Sequence, residues 1–156
     1  MVEDTGTYKL CAPEDADLDA IIDFEIDIAR ISFPDDPMVD REIHRKKLLR
    51  ALERDRDGMF VAEDTSTGQV VGWLWVALNT NFLTGEHYAT FRSLAVAQGA
   101  ESANIGEAIF AHGIEYARSK GVKELTGKVH VNNVSMRVIY KKFGFDAEHL
   151  TMKKKI

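Results

Sequence analysis

Cysteine occurs only once in the 156 residues, at Cys11, which excludes an internal disulfide and any paired-cysteine metal site. Its plain reading is a small packed residue ending the first strand. No run approaches the roughly 20 apolar residues of a membrane span, and residues 1–10 are too polar for a signal peptide. The expected compartment is the cytoplasm. A cation excess is also missing: the formal net charge of −5 argues against a nucleic-acid binder that relies on a basic surface. His112 and His130 stand apart, with no acidic or cysteine partner at ligand spacing, so no metal is expected. No repeat, low-complexity tract or linker interrupts the chain.

What is present is 45% hydrophobic residues, enough for a core and too little chain for two ordinary domains. Residues 1–156 therefore read as one domain. Acids crowd the beginning, among them Asp15, Asp19, Asp23, Glu25, Asp27, Asp35 and Asp36, with Lys9 and Arg30 nearly the only cations. Such a field suits a cationic ligand such as a polyamine or a lysine side chain; the plainer reading is a solvated face.

Residues 7–12 suit a short strand, and Pro13, Glu14 and Asp15 open a helix to about Ile31. Glu25 falls inside its apolar stripe of Leu18, Ile21, Ile22, Ile28 and Ala29, where a carboxylate is costly unless it meets water or a partner. Residues 32–37 hold two of the three prolines and read as a loop. A more solvated helix over 38–56 follows and stops at Gly58. Residues 59–63 and 69–78 form a hairpin around the turn at 64–68. The second of these strands is apolar on both faces, Trp73 and Trp75 on one and Leu74 and Val76 on the other, so it is expected to be central and covered on each side. With no basic residues between them, the tryptophans read as core or cleft wall, not a base-stacking platform. A polar loop spans 79–86, and 87–97 is the next strand.

From Phe91 to Phe145 the order is strand, loop, helix, strand, helix. Ile105, Ile109, His112, Gly113 and Tyr116 recur at helical spacing, and Gly121 closes that helix. Residues 122–131 read as a strand, Asn132 or Asn133 as the cap of a second helix, and Gly144 as its end, with Phe145 starting another strand. Lys153, Lys154 and Lys155 solubilise that final strand.

This stretch resembles the GCN5-related N-acetyltransferase (GNAT) family. The similarity is carried by Asn133, by Tyr140 followed by Lys141, Lys142, Phe143, Gly144 and Phe145, and by the helix from Glu107 to Leu125. It implies an α/β fold with a central mixed, mostly antiparallel sheet flanked by helices, and transfer of acetyl from acetyl-CoA to an amine of a small molecule, amino acid or protein. A homodimer is compatible with it. The pattern departs from the family at the pyrophosphate loop, where Glu101, Ser102, Ala103, Asn104, Ile105 and Gly106 replace Arg-Gly-x-Gly-Ile-Gly. Backbone N–H groups at a helix N-terminus bind phosphate whatever the side chains, but Glu101 puts negative charge beside them. Lys141, Lys142 or Arg118 is then needed to compensate. If none does, the fold persists as a non-catalytic binding or regulatory domain.

The resemblance assigns Tyr140 as general acid for the departing thiolate, Asn133 to the cofactor arm, and the backbone of Leu94, Ala95 and Val96 to the pantetheine. Where many relatives carry Glu before Ser-Leu-x-Val, this chain has Arg92, which cannot accept a proton and suits a substrate carboxylate instead. A base must come from Glu25, His87 or Glu86, or from a water chain. Glu25 is also a candidate to receive the substrate amine. Its plain alternative is an acid paired with a nearby cation, and that of His87 an ordinary strand-edge histidine.

Overall fold

The computed structural model describes residues 3–4, 7–99 and 101–156. Residues 1–2 and 5–6 of the polar amino-terminal segment lie outside the described residues. Six strands form one sheet in sequence order: β1 (Glu3–Asp4), β2 (Tyr8–Cys11), β3 (Met59–Asp64), β4 (Val70–Thr80), β5 (His87–Val96) and β6 (Leu125–Gly127). All neighbours are antiparallel except β5 and β6, which run parallel. Helices α1 (Leu18–Ser32) and α2 (Arg41–Asp55) cover one face; α3 (Ser102–Ser119) and α4 (Val134–Lys142) cover the other. This is the expected mixed, mostly antiparallel arrangement. No helix among the described residues is long and apolar enough to cross a membrane.

Strand alternation explains the two layers. Leu74 and Val76 of β4 pack toward α3 with Phe60, Phe91, Ile109 and Phe110, whereas Trp73 and Trp75 pack toward α1 and α2 with Ile21, Ile22 and Leu48. Both tryptophans are essentially inaccessible, so they are core. The loop at 64–68 closes on Asp64, whose Oδ1 accepts from the Ser66 and Thr67 N–H groups and the Ser66 hydroxyl; these bonds hold its carboxyl below the usual range. Gly68 at φ 73° completes the turn. Asp40 caps α2 by accepting from the N–H of Glu42 and Ile43.

Three expectations change. The strand expected over 122–131 shrinks to Leu125–Gly127, because beyond Gly127 the chain turns away from β5. No strand begins at Phe145: residues 145–156 carry no regular element, and the Phe145 ring is drawn against Phe110 and Tyr140. The tail lysines thus follow irregular chain instead of solubilising a strand. The acid-rich beginning is also partly neutralised, since Asp19 meets Arg41 and Arg45, and Asp23 meets Arg41. Cys11 is half-buried with Sγ 3.8 Å from Glu63; burial, then that carboxylate, raises its pKa and keeps it a thiol.

Candidate active site

The site is built on an irregularity in β5. Val76 faces Phe91 and Trp75 faces Ser93, so Arg92 is an extra residue with no partner on β4. Before it Ala89 and Phe91 point to α3; after it Leu94 and Val96 do. Arg92 and Ser93 instead turn to the opposite layer, where the Arg92 guanidinium lies 5.2 Å over the Trp75 ring and Ser93 meets α1.

A second departure coincides with the first. β5 and β6 pair only at Ala89↔Leu125, Thr90↔Thr126 and Phe91↔Gly127 and then diverge. Residues 92–96 are left with one sheet edge unpaired, and a cleft opens between them, residues 128–130 and α4. Leu94, Ala95 and Val96, expected to bond a pantetheine arm through their backbones, form part of this open edge.

Tyr140 closes the cleft from α4. Its ring stands edge-on to Phe110 and Phe145 at centroid distances of 5.2 and 5.1 Å. Its hydroxyl lies against Gly127 so closely that a Cβ there would fall 1.9 Å from Oη. Only glycine at the end of β6 permits this placement. Burial pushes the Tyr140 phenol up to about 12. Asn133 holds the start of the same helix, its side chain accepting from the Met136 N–H at 3.3 Å, and lines the cleft. The cap expected from sequence is therefore present.

Glu25 is buried in α1, only 5% exposed. Oε2 accepts a 2.7 Å hydrogen bond from the Ser93 hydroxyl, while Oε1 has no hydrogen-bond partner and lies 3.9 Å from Lys47 Nζ. The carboxylate thus touches the cleft only through Ser93, which lines it, and turns its other oxygen toward α2. His87 is not brought to this place. It sits exposed at the far end of β5, roughly 13 Å along the strand from Phe91, with Nδ1 3.0 Å from Thr80 Oγ1. Glu86 precedes it in the loop and is equally exposed.

At the start of α3, Ile105 and Gly106 are buried and the Ile105 N–H donates to the Glu101 carbonyl at 2.9 Å; Ser102, Ala103 and Asn104 form the accessible first turn. First-turn N–H groups have no intrahelical acceptor and can take phosphate oxygens. Glu101 is drawn along the helix, its carboxylate accepting from the Asn104 amide at 3.2 Å. Of the cations expected to compensate it, Lys142 pairs with Glu107 at 2.7 Å, in the second turn of α3. Arg118 pairs with Glu115 at the opposite end of α3, about 24 Å away by helix rise, and cannot serve. The residues present fit acetyl-CoA: an open strand edge for an amide-bearing arm, a helix N-terminus for its phosphates, and a phenol where the two strands part.

Reading the sequence missed three features. Lys128 and His130 line the cleft, whereas the sequence offers the histidine only as a candidate metal ligand. The Ser93 partner of Glu25 lies 68 residues away and leaves no local signal. A cavity of about 410 Å³ between α2 and the sheet gathers Lys46, Lys47, Arg50, Arg54 and Arg92 beside Trp75. Only the spacing of the first four on one helical face announced it.

Known proteins resemble this chain in sequence and in fold. Mycothiol acetyltransferases from Saccharomonospora viridis and Amycolatopsis mediterranei are each 29% identical to it, over 107 and 104 residues, 64% and 62% of this chain. These matches cover 35% and 34% of those proteins, so the chain spans about a third of the length of the curated relatives it matches. Among solved structures, glucosamine-6-phosphate N-acetyltransferase from Arabidopsis thaliana superposes with a TM-score of 0.70 at 17% identity, covering 96% of this chain and 98% of that one. An acetyltransferase from Trypanosoma brucei superposes with a TM-score of 0.69 at 20% identity, covering 96% and 99%. At those identities the likeness is one of fold. The model of the acetyltransferase (GNAT) family matches residues 18–145, and the chain belongs to that family.

Proposed function

We propose that this protein is an N-acetyltransferase that moves an acetyl group directly from acetyl-CoA to an amine of a small molecule or peptide. The observation that carries the reading is the parting of β5 and β6 with the Tyr140 hydroxyl at the point of divergence. Acetyl-CoA, when bound, supplies the thioester that the amine attacks. The edge of residues 92–96 offers alternating backbone donors and acceptors to the pantetheine, and the first turn of α3 offers N–H groups to the phosphates. Glu25, bonded to the cleft residue Ser93, takes the proton released by the amine, a role Arg92 cannot fill.

Tyr140 acts as a hydrogen-bond donor more than as a source of a fully transferred proton. At about 12 its phenol stays protonated at any working pH. Complete transfer to a thiolate of ordinary pKa near 8.5 would be uphill by about 5 kcal/mol. A hydrogen bond aimed at charge that develops only as the C–S bond breaks stabilises the transition state without that cost.

Calorimetric titration with acetyl-CoA, followed by an amine screen with Tyr140→Phe as control, tests the reading. Micromolar, salt-sensitive binding and turnover that falls on removing the hydroxyl are expected. No binding at millimolar acetyl-CoA would sink it. Glu101 favours one second reading, a domain that keeps the fold without turnover, because its carboxylate stands at the helix end where phosphates are received. Glu101→Arg separates the two: affinity for acetyl-CoA rises in an enzyme and stays absent in a lost site.

A further inference from the structure

The cavity between α2 and the sheet is set apart by its charge. Five cations line it, from two elements distant in sequence: Lys46, Lys47, Arg50 and Arg54 from α2, and Arg92 from β5. Two are already answered, since Arg54 pairs with Asp55 at 3.1 Å and Lys47 lies 3.9 Å from Glu25. Among the described residues, no carboxylate lies within ion-pair distance of Lys46, Arg50 or Arg92.

The same helix shows that this is selective. Arg41 and Arg45, which do not line the cavity, are paired with Asp19 and Asp23 of α1. A solvated helix face explains Lys46 and Arg50 by themselves. It does not explain why the extra residue of β5 is an arginine turned toward them and held over Trp75. Bringing unpaired like charges together raises the energy of the empty cavity, and the field they create concentrates anions. Guanidinium groups recognise oxyanions through parallel N–H bonds, and the Trp75 wall gives them a rigid backing.

We propose that this cavity receives a dianionic oxyanion, a phosphate or a pair of carboxylates, carried by the acceptor amine. Arg92 belongs both to the cavity and to the cleft that holds Ser93 and Tyr140. An anion seated between Arg50 and Arg92 would therefore leave its attached amine beside the Glu25–Ser93 pair. The placement as an acceptor subsite rests on the acetyltransferase reading; the anion site itself does not.

Two measurements keep those apart. Tryptophan emission is followed as inorganic phosphate or succinate is added at constant ionic strength, to the intact protein and to a variant carrying Arg50→Gln and Arg92→Gln. Saturable change in the intact protein and its loss in a variant with an unaltered unfolding midpoint are expected. Which of the two anions saturates at lower concentration distinguishes phosphate from paired carboxylates. No change with either anion, or one surviving in the variant, overturns the proposal.

In the second measurement, acetyl transfer is compared between phosphoethanolamine and ethanolamine, and between glutamate and glutamine. The anionic member of at least one pair is expected to have kcat/KM at least about tenfold higher, with the advantage lost in the variant mainly through KM. Neutral and anionic members turned over alike would overturn the acceptor subsite and leave the acetyltransferase reading standing. Saturable anion binding without any binding of acetyl-CoA would do the reverse.

Discussion

The two faces of the sheet solve opposite problems. Toward α3 and α4, Phe91, Phe110, Tyr140, Phe143 and Phe145 interlock as rings, with one hydroxyl buried among them. Toward α1 and α2, the buried tryptophans abut a carboxylate, a serine and a row of cations. The first face derives rigidity from close packing, where geometry is maintained by many weak contacts. The second keeps polar groups buried at a cost that named partners must offset. A transferase needs both: a fixed donor where charge develops, and a wet, charged side where an acceptor can enter.

The contrast is broken most severely at Phe110, fully buried and touching four other aromatic rings. Phe110→Ala is expected to lower stability by about 3–5 kcal/mol in denaturant unfolding, near the limit a domain of this size tolerates. Tyr140→Phe sharpens it through pH. The phenol is raised from 10.0 to about 12, so its contribution is whole below pH 10 and is lost as pH climbs through 12. Stability of the parent should fall by about 2–3 kcal/mol across that window, and the variant should show a shallower fall. Equal slopes would mean the hydroxyl is not desolvated.

On the other face, Glu25→Ala leaves the Ser93 hydroxyl buried without its acceptor and is expected to cost about 1–3 kcal/mol as well as turnover. Restored turnover in Glu25→Asp would separate the base from a merely structural acid. The smallest effect belongs to the cavity rim: Arg50→Gln is expected to change stability by less than about 0.5 kcal/mol, or to raise it slightly. A large loss would show that Arg50 has an intramolecular role and weaken the contrast.

These differences also mark what could be read in the chain beforehand. Elements whose evidence is local were legible: the apolar alternation of β4, the glycine-closed α3, and the Asn133 cap. Glu25 was legible as an oddity, because a carboxylate in an apolar stripe contradicts its neighbours whatever its partner. Its reason for being there was not, since Ser93 arrives through the sheet. The acid-rich beginning was legible as a solvated face, but its pairing was not, because charge counted along the chain ignores Arg41 and Arg45 from the next helix. The cation cavity stayed hidden for the converse reason: its fifth member depends on one unpaired strand residue. The strand expected at Phe145 failed because an aromatic after glycine signals burial, and a ring cluster buries it as well as a ladder does.

That one unpaired strand residue works as a change of parity. Up to Phe91 the odd-numbered residues of β5 belong to the α3 layer; from Leu94 onward the even-numbered ones do. A chain lacking position 92 would keep every core contact, for Ser93 would fall opposite Trp75 in an uninterrupted ladder. It would be a straighter and more regular sheet, missing the one arginine that lines both openings. The proposed anion site thus depends on a single skipped beat in the otherwise even count of β5, where the fold itself has nothing to lose by closing the gap.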